Sequence, residues 1–179
     1  MHVLGLLAAA AMMPLAADPS ELRSGTISVV AGGDQAATAE VAQIYTDAVE
    51  HALLRTRLVL LPNPSHSRYI ARVEVRQTPR GVVASDGRQS AAVPTMAYGG
   101  GGLSLSLPSK KAQLRGLVET RLKISVSLRS DNRVAWTGEA LTVRASGTRN
   151  GDIGVIATTL SDALFAHFPH RLHEPLSVP

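Results

Sequence analysis

His167, His170 and His173 recur at steps of three with Glu174 beside the last, and no other group in the sequence resembles a set of metal ligands. Imidazole nitrogens and a carboxylate suit zinc when they converge on one point. Residues three apart share a face on a continuous helix, but Pro169 stands between the first histidine and the second. Proline has no amide hydrogen with which to continue a helical ladder. A helix C-terminus, which favours cations, followed by a polar tail accounts for the same residues without a metal. The three histidines are a weak metal candidate, and no cofactor is expected.

Other catalytic chemistries fare no better. A serine nucleophile on a strand-to-helix elbow would carry Gly-x-Ser-x-Gly, which does not occur, and His51 and His66 have no evident partner. Glycoside cleavage needs two carboxylates facing one another. Here the acids are scattered singly, and Asp131 and Glu139 read as turn and surface residues. The run Gly99 to Gly102 is followed by Leu103, so the Lys and Ser or Thr that close a phosphate-binding loop are missing. The chain has no cysteine, which excludes disulfides, thiol catalysis, iron–sulfur clusters and lipid attachment through a thioether. No catalytic residue is assigned, and a non-catalytic protein is expected.

What remains is charge. Eighteen Lys and Arg against fourteen Asp and Glu give a net charge of +4 over 179 residues. All but Lys110, Lys111 and Lys123 of the basic residues are arginines, and they are dispersed along alternating segments instead of forming one block. That distribution argues against a footprint for a phosphate backbone, so nucleic acid is not expected as a partner. It fits a solvated sheet face, and an exported protein could present such a face to an envelope protein or to an anionic envelope polymer or lipid. Arg72, Arg76, Arg121, Lys123 and Arg129 are the outward set and the candidate partner-binding residues. Trp136 joins them as a ring that could serve either as a ligand platform or as a core or sheet-face side chain.

These residues must be held by regular elements. Thr26 to Ala31 alternates like a short strand and ends at Gly32-Gly33. Asp34 can cap a helix to about Leu54, with Ala37, Val41, Ile44, Ala48 and Ala52 at helical spacing. Leu58 to Leu61 is a short apolar run stopped by Pro62-Asn63-Pro64. Arg68 to Gln77 and Thr120 to Arg129 alternate cleanly, so each predicts a half-buried strand. Ser130-Asp131-Asn132 is turn chemistry, and Arg133 to Val143 returns as a hairpin partner. Its apolar side changes around Gly138, which predicts a bulge there. A last helix spans about Gly151 to His167, capped by Asn150 or Asp152 and stopped by Pro169. Residues 170–179 are expected to be an irregular tail. The segment 78–119 contains the glycine run and reads as a long hairpin insertion in which Val82 to Ala84 and Leu103 to Leu107 are candidate strands.

With only six aromatic residues, the core must be built from Ala, Val, Leu and Ile. The apolar run from Val3 to Ala11, continuing to Ala17, is too short to span a bilayer and has the length of a signal-peptide core. Residues 1–17 are therefore expected to be a signal peptide, cleaved before Asp18 to release a mature chain with no transmembrane segment.

The carboxy-terminal third adds a resemblance. The strand Leu122 to Leu128, the segment Val134-Ala135-Trp136-Thr137-Gly138-Glu139-Ala140 and a helix closing in Ala166-His167-Phe168-Pro169 resemble a class of small exported or lipid-anchored bacterial envelope domains of unknown function. The order of elements is also similar to that of the α/β modules of curli-secretion and lipopolysaccharide-transport lipoproteins. The resemblance implies a periplasmic or outer-membrane-associated protein without catalysis; lacking cysteine, this chain has no lipid anchor of that kind. The expectation is one α+β domain over 18–169, with a largely antiparallel four- to five-stranded sheet and two helices packed on one face. Its expected role is that of a periplasmic adaptor or accessory protein of an envelope complex, peripheral to the outer membrane. The alternative is a small-molecule or lipid carrier with a pocket between helices and sheet.

Overall fold

Alternation of apolar and polar residues and two capped helical segments generate six strands and two α-helices in the computed structural model, which describes residues 22, 24–32, 38–85 and 113–179. They are β1 (Gly25–Ala31), α1 (Ala39–Leu53), β2 (Leu58–Leu60), β3 (Tyr69–Ser85), β4 (Gln113–Leu128), β5 (Val134–Ala145), α2 (Ile153–His167) and β6 (Leu176–Ser177). Asp34 and residues 1–21 lie outside the described set, as do Gly99 to Gly102 and Leu103 to Leu107. Thr38 is the N-cap of α1, its hydroxyl accepting the Val41 amide at 3.4 Å. Asp152 caps α2 by accepting from the Gly154 and Val155 amides, as the sequence suggests.

The six strands form one sheet in the order β2-β1-β3-β4-β5-β6, which with the two helices makes an α+β fold. The extensive β3–β4 and β4–β5 pairing is antiparallel, as expected, but the sheet has six strands where four to five were expected, and its margins pair in parallel. β1 pairs in parallel with β2 and β3, and β5 with β6, so β4 alone runs against the rest. The cause is connectivity, because β1-α1-β2 and β5-α2-β6 are crossover units and a crossover returns a strand parallel to the one it left. Both helices pack on the same face and on each other, while the two units step outward in opposite directions along the sheet. Their crossovers therefore have opposite hands, and one departs from the usual right-handed sense. The tail is also more ordered than its composition suggests. Leu176 and Ser177 pair beside Ala140 and Leu141, and the Val178 amide donates to the Leu141 carbonyl at 2.9 Å.

The face under the helices is lined by Tyr69, Ala71 and Val73 of β3, by Leu122, Ile124 and Val126 of β4, and by Trp136 and Ala140 of β5. Tyr45, Val49, Ala52 and Leu53 of α1 and Ile156, Leu160 and Leu164 of α2 close over them. The buried stripe of α1 is thus centred on Tyr45 and Val49, while Val41, Ile44 and Ala48 sit at its margin. At one end of this face the register aligns three polar side chains, Gln77, Thr120 and Thr142. The Tyr45 hydroxyl is adjacent to the first two. None of the Tyr45, Thr120 and Thr142 hydroxyls closes a hydrogen bond of ordinary geometry.

The expected bulge is displaced. The β4–β5 register shifts between Val126 and Ser127, where Ala135 is the extra residue, and Gly138 pairs regularly with Ile124. Gly138 is required for space. A Cβ there would stand 2.4 Å and 2.7 Å from two carbons of the Trp136 indole and 3.1 Å from Leu164 Cδ2. The indole is held by Phe165 and Phe168, so it has little room to yield. Gly138→Ala is expected to destabilise by about 1–3 kcal/mol, the usual cost of overpacking. The urea midpoint checks this; an unchanged midpoint would mean that the indole moves freely.

Candidate functional site

Strand alternation sends every second residue of β3, β4 and β5 to the face opposite the helices, and register then fixes which of them meet. Four rows cross that open face. Arg76 stands opposite Arg121, which neighbours Leu141; Glu74 faces Lys123, which faces Glu139; Arg72 faces Ser125, then Thr137; and Ile70 faces Ser127. Beyond them Thr78, Glu119 and Val143 form a further row.

Like charges directly opposite would repel, but the Arg121 guanidinium turns diagonally to Glu139 at 2.7 Å and reaches Glu119 at 3.4 Å. Arg80 donates to the same Glu119 carboxylate through Nε at 2.9 Å and Nη2 at 2.7 Å. Lys123 lies 3.7 Å from Glu74. The Arg80 hydrogen bonds, reinforced by the charges of Arg80 and Arg121, hold the Glu119 carboxyl below the usual carboxylate range. The hydrogen bonds to Glu139 and Glu119, one to each, hold the Arg121 guanidinium still more firmly protonated. Exposed ion pairs contribute about 0–1 kcal/mol each, so this lattice does little for folding. Its effect is to fix where the charges sit. Among the described residues Arg72 and Arg76 form no ion pair, and they stand at the β3 side of the lattice as its surplus cations, roughly 13 Å apart along the strand.

The six sequence candidates therefore divide. Arg72 and Arg76 are exposed and form no ion pair among the described residues, and Arg121 and Lys123 are bound into the lattice. Arg129 lies just past β4 and its Nε donates to the Ser67 carbonyl at 2.8 Å, tying the turn to the segment that leads into β3. Trp136 does not belong to the open face at all. It is 2% exposed beneath α2, its indole N–H donates to the His170 carbonyl at 2.9 Å, and its ring packs edge-on against Phe168 at 5.2 Å. His167, His170 and His173 are exposed, and among the described residues no three side chains of metal-binding type converge. Glu74 and Glu119, which with Glu139 order the face, were not singled out by sequence reasoning, and Glu139 was read only as a surface residue. Their sign and their alternation with the cations were readable, but the register that makes them partners was not.

A second feature lies elsewhere, at the C-terminal ends of both helices. A cleft of about 370 Å³ is floored by Leu22, Phe165, Phe168 and Pro169 and walled by Arg55, Thr56 and Arg57. The Thr56 hydroxyl is already engaged, donating to the Leu53 carbonyl at 2.7 Å and accepting from the Leu58 amide at 3.2 Å. Arg55 pairs with Asp162. Arg57 forms no ion pair among the described residues. The cleft is not legible in the sequence, because its lining comes from three separate segments, at Leu22, at Arg55 to Arg57 and at Phe165 to Pro169.

Among the described residues no helix is long and apolar enough to cross a membrane. No family model matches the chain, and no curated protein matches it. A solved structure described as the crystal structure of a PDZ domain protein from Parabacteroides distasonis ATCC 8503 is similar at 10% identity with a TM-score of 0.44. The alignment covers 82% of this chain and 32% of that one, and at this level it carries no argument about function.

Proposed function

We propose that the protein is a non-catalytic periplasmic adaptor or accessory protein of a bacterial cell-envelope complex, peripheral to the outer membrane, that docks through the open face of its sheet. The supporting observation is the arrangement of that face. Among the described residues, helices cover one side of the sheet, no element covers the other, and its ion-paired centre is flanked by Arg72 and Arg76, which form no ion pair. A face whose charges are already fixed loses little side-chain freedom on docking, and the exposed Arg72 and Arg76 provide charge for an acidic partner surface. The signal-like leader supports the compartment. The carrier alternative would need space between helices and sheet, which is filled by core side chains such as Tyr45, Val49, Leu122 and Leu160.

The test is capture of partners from periplasmic extract by the mature protein, run beside the Arg72→Glu/Arg76→Glu double variant. An envelope protein or anionic glycolipid should be retained by the wild type and lost by the variant, which changes only exposed side chains. Equal recovery by both, or recovery of nothing from the envelope, would remove the adaptor reading.

A further inference from the structure

We infer that the cleft at the helix ends binds a small amphipathic anion, a single-chain carboxylate whose apolar tail lies on Leu22, Phe165, Phe168 and Pro169 and whose head meets Arg57 and Arg55. A volume of about 370 Å³ falls within the range of small-ligand sites and holds a chain of about eight carbons. Such sites join a largely apolar surface to a few placed polar groups, and here the two kinds of group are segregated. Aromatic and aliphatic side chains make the floor, while consecutive residues after α1 supply both cations.

The two arginines are not equivalent. Arg55 follows α1 closely, and the helix C-terminus together with Asp162 accounts for it. Arg57 lies farther along, immediately before β2, with no helix end and, among the described residues, no ion pair to explain its place. Its charge is available to a ligand. The floor is also rigid, because Phe165 and Phe168 pack on Trp136 with centroids 6.1 Å and 5.2 Å away, and the indole N–H is fixed to the His170 carbonyl. A preformed wall lowers the ordering cost of binding.

The same packing supplies a probe, since Trp136 is the sole tryptophan and lies directly behind the two cleft phenylalanines. Titration of the mature protein with octanoate should give a saturable change in Trp136 fluorescence. Arg57→Ala, an exposed substitution, should weaken binding about tenfold through loss of a charge-assisted hydrogen bond. Octanol, which has the tail alone, should bind about tenfold more weakly than octanoate, and acetate or inorganic phosphate, with the head alone, should leave the fluorescence unchanged. The Arg72→Glu/Arg76→Glu variant should bind octanoate like the wild type, so this result stands or falls separately from docking at the sheet face. No saturable signal, an Arg57→Ala variant that binds equally well, or octanol equal to octanoate would overturn the inference. So would retention on phosphatidylglycerol vesicles that depends on Arg57 while octanoate has no effect, because the ligand would then be a lipid surface.

Discussion

Trp136→Ala is expected to lower the unfolding free energy by about 3–5 kcal/mol, the largest single-site loss in the fold. Three effects act together. The ring is 2% exposed, so its removal deletes the packing of β5 against Phe165 and Phe168. The cavity left behind cannot collapse easily, because Phe165 and Phe168 are placed by the helix and the turn behind it. The bond from the indole N–H to the His170 carbonyl also goes, but at about 1 kcal/mol this is the minor part. Trp136→Phe separates the terms, since it loses that bond and keeps most of the ring, and about 1–2 kcal/mol is expected. Against a typical domain stability of about 5–15 kcal/mol, the alanine variant sits close to unfolding at moderate temperature. Urea denaturation followed by circular dichroism checks both variants. An alanine variant within 1 kcal/mol of the wild type, a threshold set at about the worth of the single hydrogen bond, would contradict the packing role.

The second large effect appears only in alkali. Burial pushes the Tyr45 hydroxyl up from 10.0 to about 12, opposed in part by the Thr120 and Gln77 side chains. The folded state therefore holds this proton more tightly than the unfolded chain does. Its contribution is complete below pH 10 and is lost as the pH rises from about 10 to about 12, at roughly 1.4 kcal/mol per unit. The total approaches 2–3 kcal/mol on that scale. Tyr45→Phe removes the titration. At pH 7 the variant should be at least as stable as the wild type, because the deleted hydroxyl is buried and closes no hydrogen bond of ordinary geometry. Urea midpoints of the two proteins should then diverge in favour of the variant as the pH passes 10. Parallel curves would mean that the phenol ionises as freely folded as unfolded.

Sequence pattern located most elements because their causes are local. Leu122, Ile124, Val126 and Leu128 alternate with polar residues, and the pair of Asp152 and Pro169 marks both ends of α2 to within a residue or two. The antiparallel return of β5 on β4 was readable from the turn at Ser130-Asp131-Asn132, but the parallel pairings of β1 and β6 were not, since alternation looks the same in parallel and antiparallel sheets. β6 was missed because two residues are too few to show a period. Gly138 misled for a specific reason: a glycine in a strand marks a bulge or a close approach with equal force, and only the position of the indole decides between them. The Val82 to Ala84 candidate is indeed strand, but it continues β3 and pairs with residues 114–116. The site was half legible. The outward cations were visible, yet which of them meet an acid is set by cross-strand register, which places Lys123 between Glu74 and Glu139 and Arg76 opposite Arg121, and register is not written in either strand alone.

The sheet margins carry a consequence for solubility. An exposed strand edge is a template for another chain, and long flat edges lead to fibres. Here the two outermost strands have three residues and two. Where β3 runs beyond its pairing with β1, the edge carries Pro79, which has no amide to donate, a break in register and the charged Arg76 and Arg80. Each of these devices frustrates strand addition. Copies of the protein should therefore resist stacking edge to edge even at high concentration, leaving the broad charged surface free for a different molecule.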